Sequence, residues 1–161
     1  MVTQLISKLR TKEDLELLRG ELDLLKNSLY QKDNNYKEVL ENDIRGWVSE
    51  IISIEAKDME IGKYLDDMEM LLKSVQILSA SLAFEPSDSF VDRFSQFIKK
   101  NVSPGIVVDF LFNPQLIGGT QLSFKGKYVD LSLRKKIIQE FDVASFSVKQ
   151  SPKVGINTQI N

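Results

Sequence analysis

Residues 104–133 read PGIVVDFLFNPQLIGGTQLSFKGKYVDLSL, and the order of turn-formers and apolar runs within them decides the fold. Pro104-Gly105 makes a turn, Ile106 to Phe112 is β-branched and aromatic enough for a buried strand, and Asn113-Pro114 ends it. Beyond Gly118-Gly119, Leu122 to Phe124 forms another extended run, Lys125-Gly126 reverses the chain, and Tyr128-Val129 pairs back as a short hairpin. Asp130 or Ser132 then caps a helix bearing Leu133, Ile137, Ile138 and Phe141. Upstream, Ile77 to Phe84 alternates apolar with small or polar residues, as a strand does, and Glu85-Pro86-Ser87 stops it. Ser87 or Ser89 caps a helix with Phe90, Val91, Phe94, Phe97 and Ile98 on one face. The predicted order over residues 76–142 is strand-helix-strand-strand-strand-helix.

The residues before this region have another character. They include no proline and are rich in Leu, Glu and Lys, which favour helix. Thr11 followed by Asp14 opens a helix with a capping pattern, and Leu15, Leu18, Leu22, Leu25 and Leu29 recur at spacings of three and four. Leu17 and Leu24 widen that stripe toward the broad face of a helix packed in a bundle. The polar stretch Gln31 to Asn35 ends the first long helix. A second helix from Tyr36 carries Val39, Leu40, Ile44, Trp47, Val48, Ile51 and Ile52 on one face. Asp58 caps a third with Ile61, Leu65, Met68 and Leu72, and a short helix lies near Leu5 and Ile6. None of these stripes is buried by its own helix, so they require one another. The fold class read from the sequence is therefore α+β. An all-α bundle or hairpin occupies residues 1–75 and a small α+β domain residues 76–142. A polar tail over 143–161 contains Pro152 and Gly155, with a minor strand at Phe146 to Val148.

Composition narrows the chemistry. The 161 residues contain neither cysteine nor histidine. That removes disulfides, thiolate nucleophiles, the usual zinc ligands and the side chain that titrates near neutrality unaided. The net charge is −2, divided unevenly: 11 basic and 16 acidic residues through Val75, then 10 and 7. No general basic field exists to attract nucleic acid or anionic lipid. No apolar run approaches the roughly 20 residues needed to cross a bilayer. These features predict a protein of the cytoplasm that meets a membrane only through a partner, with no cofactor.

The segment Asn113-Pro114-Gln115-Leu116-Ile117-Gly118-Gly119-Thr120-Gln121-Leu122, followed by Lys125-Gly126-Lys127-Tyr128-Val129-Asp130-Leu131-Ser132-Leu133-Arg134, resembles the C-terminal signature of F-type ATP synthase delta subunits, the oligomycin-sensitivity-conferring protein family. The order Ser79-Ala80, a proline, a serine-capped helix and a β-rich run extends the resemblance across about residues 76–141. Leu131 stands where that family has glycine, and the helical region before residue 76 is shorter than the family's bundle. Pro114, Ile117, Gly118, Gly119, Gly126, Asp130, Ser132 and Leu133 are the signature residues, and their spacing suits a structural role: paired glycines permit positive φ and close backbone approach.

The resemblance implies a non-catalytic stator subunit of the peripheral stalk, at the cytoplasmic face of the cell membrane. Such a subunit ties N-terminal segments of the head's alpha subunits to the C-terminal end of the stalk's b subunit, so that ion-driven rotation is coupled to ATP synthesis. Candidate head-binding faces carry Leu15, Leu18, Leu22, Leu25, Val39, Ile44 and Trp47, although packing of these residues on one another is the commoner use of such stripes. Arg134, Lys135 and Lys136 are a candidate patch for an acidic stalk helix.

Three other readings compete. One is an E-type stalk subunit of a vacuolar or archaeal rotary ATPase, or a generic coiled-coil adaptor. Another is a small RNA-binding module using Ile117-Gly118-Gly119-Thr120 as a backbone clamp, although this loop follows a strand and no basic stripe accompanies it. The third is a carboxylate enzyme built on Asp66-Asp67 or Asp109. The chain has no GxxxxGK phosphate loop.

Overall fold

A computed structural model describes residues 4–31 and 35–133. Helices α1 (Gln4–Lys8), α2 (Lys12–Tyr30), α3 (Tyr36–Asn42), α4 (Gly46–Glu55) and α5 (Ile61–Lys73) come first. Strand β1 (Gln76–Leu82), helix α6 (Asp88–Asn101) and strands β2 (Ile106–Phe112), β3 (Thr120–Phe124) and β4 (Lys127–Asp130) follow. The architecture is α+β, with a four-stranded mixed sheet in the order β2-β1-β3-β4. The helix expected from Asp130 or Ser132 to Phe141, the strand at Phe146 to Val148 and the tail over 143–161 lie outside the described residues.

Helix α2 starts as its sequence demands. The Thr11 hydroxyl accepts from the Asp14 amide, and the Asp14 carboxylate accepts in return from the Thr11 amide, a complete capping box. Its inner face, Leu15, Leu18, Leu22 and Leu25, is buried against Val39, Val48, Ile51, Ile52, Leu65, Met68 and Leu72. Leu17 and Leu24 do not join it: they remain 57% and 43% exposed. At 100° per residue both fall on the side of α2 opposite the buried leucines, so they add no width to the packed stripe.

The expected second helix is two. It breaks at Asp43 to Arg45, where Arg45 turns extended with φ −54° and ψ 130°. Glu21 on α2 holds the break by accepting from the Arg45 amide at 3.0 Å and from its guanidinium Nε and Nη2 at 2.8 Å each. The guanidinium also lies 5.0 Å from the centre of the Trp47 ring. Asn42 and Asp43, poor helix formers, make the interruption inexpensive. The third helix starts later than expected, at Ile61, and its preceding residue is Glu60 with no side-chain cap; Asp58 sits in the turn before it.

On the bundle surface Lys26 bridges Asp66 at 2.6 Å and Glu69 at 2.9 Å. Lys73 and Lys26 together hold the Glu69 carboxyl down at about 2. Between α5 and the end of α4 the Tyr64 hydroxyl donates to Glu55 at 2.8 Å, and burial, reinforced by that carboxylate, pushes the phenol's pKa up.

Strands β1 and β2 run parallel from Gln76↔Ile106 to Leu82↔Phe112, which requires the crossover that α6 supplies. The Ser87 hydroxyl caps α6 by accepting from the Phe90 amide. Phe94 and Ile98 pack with Leu78, Ala80, Ile106, Val108 and Phe110 to form the second core. Phe90, Phe94 and Phe110 meet at ring-centre distances of 5.6 to 6.2 Å, whereas Phe97 points outward. Strand β3 adds antiparallel to β1, and β4 to β3.

Glu21→Ala strips the amide and guanidinium of Arg45 of their acceptor in a site where Glu21 is only 12% exposed. It should lower stability by about 2 kcal/mol, read in urea as a lower midpoint at unchanged slope, with Glu21→Gln intermediate.

Candidate functional site

Two places carry the sequence expectations. The first is the signature hairpin. Its turn is Lys125-Gly126, with φ of 49° and 74°, the two left-handed residues of a tight hairpin turn. The ladder of β3 and β4 continues past the strands: the Leu131 amide donates to Thr120 at 2.9 Å and the Leu133 amide to Gly118 at 3.3 Å. Asp130 organises the exit by accepting from the Ser132 amide at 2.8 Å and from the Gln121 side chain at 3.3 Å.

Gly118 and Gly119 have φ of 65° and 79°. A Cβ on Gly119 would collide with the Leu131 carbonyl oxygen and lie 2.7 Å from the Ser132 Cα; one on Gly118 would lie 2.8 Å from Leu133 Cδ1. The close approach that paired glycines permit is thus taken up by the chain itself, with Ser132 buried beneath. The Cβ side of each glycine is filled in this way. Pro114, Ile117 and Leu133 are exposed around it.

The second place is the bundle surface. Leu15, Leu18, Leu22, Leu25, Val39 and Ile44 lie in the core and Trp47 is half-buried, so a partner cannot reach the six core residues without opening the bundle. Besides Tyr30 at its end, α2 exposes the apolar pair Leu17 and Leu24, flanking Gly20 in an open depression of about 580 Å³. Its sequence signal is the two leucines off the main stripe, which apolar periodicity alone does not separate from the packed face. Arg134, Lys135 and Lys136 lie outside the described residues.

A third feature left no sequence signal. Leu9 to Thr11, between α1 and α2, runs beside β2: the Val108 amide donates to the Arg10 carbonyl at 3.1 Å, and Thr11 bridges Val108 in parallel. The Ser95 hydroxyl donates to the same carbonyl at 3.1 Å, and the Lys99 ammonium donates to the Ser7 and Leu9 carbonyls. Arg10 pairs with Asp92 at 2.7 Å and Lys12 with Asp109 at 3.2 Å. Val107 belongs to the core of the bundle. These partners are separated by some 80 to 100 positions along the chain and no local period relates them.

The acidic candidates are all accounted for. Asp66 pairs with Lys26, Asp109 with Lys12, and Asp67 is a solvated surface residue. Among the described residues no cluster of acidic side chains is placed to hold a metal ion, and no helix is long and apolar enough to cross a membrane. No family model matches the chain, and no curated protein matches it.

Gly119→Ala, which must clash with Leu131 and Ser132 in a left-handed conformation, should cost about 2 kcal/mol or more. Gly126→Asn, with nothing within 4 Å of its Cβ, should leave the thermal midpoint nearly unchanged.

Proposed function

We propose that this chain is a non-catalytic stator subunit of a rotary ATP synthase, of the delta type, linking alpha subunits of the catalytic head to the b-subunit stalk. The observation that carries the reading is the ordered signature from Asn113 to Leu133. Its proline-ended strand, positive-φ glycine pair, glycine turn and Asp130-Ser132 exit form one interlocked hairpin unit. The parallel β1-α6-β2 unit before it follows the same order as the sequence resemblance.

The mechanical requirement of such a role also fits. Torque on the rotor is useful only if the head is held still, and a holding link with a free hinge between its two attachment surfaces would yield under load. Here the bundle and the sheet are joined through the Arg10 carbonyl, Lys99 and Val107, and only Ser74 and Val75 separate α5 from β1. The chemistry would belong to other subunits; this one supplies attachment and stiffness.

Tagged chain, recovered from its source cells after gentle detergent extraction, should bring down alpha and b subunits together. Recovery with neither would end the proposal. Reversing the charges of Arg134, Lys135 and Lys136 should release b while keeping alpha, and undiminished b would remove that patch from the stalk contact.

A further inference from the structure

Nothing inside the chain requires glycine at position 20. The residue lies in the middle of the 19-residue α2, at an exposed position where a Cβ would meet nothing within 4 Å. Glycine is among the worst residues for a helix interior, and alanine would fit and hold the helix better. A glycine of this kind earns its place when another backbone must come close.

Its neighbours agree. Leu17 and Leu24 stand exposed on either side and line the open depression with it. Two helical turns apart, they form a short ridge with a notch at its centre, the shape into which a side chain of a crossing helix fits. The charges lining the depression are mainly acidic: Glu13, Glu16 and Glu21 against Lys12 alone. Glu13 and Glu16 are exposed there; Glu16 meets only Arg19 of its own helix, Glu13 has no ion-pair partner among the described residues, and Glu21 is held by Arg45. The nearby Lys12 is turned to Asp109.

We infer that the Leu17–Gly20–Leu24 face of α2 is a docking surface for an amphipathic helix of another protein, with small or apolar residues on its contact face and lysine or arginine on its flanks. A second copy of this chain is disfavoured because it would bring the same acids face to face, and an anionic bilayer is disfavoured for the same reason. The inference rests on the stator reading only for where the helix comes from, namely the head; the surface itself stands on the geometry of α2.

The test uses the full chain and two synthetic helical peptides that share a leucine and alanine face, one flanked by lysines and the other by glutamates. Fluorescence anisotropy should show the lysine peptide binding at least about tenfold more tightly than its twin, with a similar loss for the Leu17→Ser/Leu24→Ser double variant, whose acids are intact. Gly20→Phe, which fills the notch, should also lose binding, while Gly20→Ala should raise the melting temperature and weaken binding modestly. Equal affinity for both peptides, binding retained by the double variant at an unchanged melting temperature, no binding by the parent chain, or a dimer that the double variant abolishes would each overturn the inference. If the peptide binds as expected but the tagged chain recovers no alpha or b, the surface survives and the stator assignment fails.

Discussion

The Arg10 carbonyl oxygen is the point on which the two parts of this molecule meet. It accepts at once from the Val108 amide of an edge strand and from the Ser95 hydroxyl of the crossover helix. An edge strand otherwise presents unpaired amides to solvent, so the short Leu9–Thr11 segment satisfies part of β2 while anchoring α1 and α2 to the sheet. The Arg10–Asp92 pair beside it is exposed on both sides and contributes little, whereas in the Lys12–Asp109 pair the carboxylate is largely covered. The stronger elements are less exposed: Val107 is buried in the bundle core, and the Lys99 ammonium at the α1 end is half-buried, which pushes its pKa down despite nearby Asp14. A lysine placed there without carbonyl partners would be costly, which ties its position to that of α1.

Much of the architecture was legible because it depends on neighbours in sequence. Capping at Thr11 and Ser87, the strand run from Ile106 to Phe112, and the Lys125-Gly126 reversal each rest on residues within a few positions of one another. The errors arise where a distant residue decides. The α3–α4 break needs Glu21 from another helix, and the outward turn of Leu17, Leu24 and Phe97 depends on which side each helix presents to its neighbours. Apolar character says that a residue gains from burial; it does not say that a partner is there to bury it.

The glycines make the same point from the other side. Gly118 and Gly119 are demanded by the chain's own fold: both have positive φ, and a Cβ would meet the Leu133 side chain at Gly118 and the Leu131–Ser132 backbone at Gly119. Gly20 has open space and an ordinary helical setting. Sequence lists all three alike, and only the surroundings separate a residue needed for folding from one whose use lies outside the fold. The head-binding expectation fails at the core leucines for a related reason: a stripe regular enough to be read from sequence is the one most fully used in making the bundle.

The pairing of Arg10 with Val108 also orders events during synthesis. At cellular elongation rates the segment around Arg10 is made on the order of 5–20 seconds before Val108. Through that interval the first five helices can associate, but the place that Val107 will fill stays empty. The nascent chain must tolerate that gap, and the molecule becomes one body only when β2 arrives to close it.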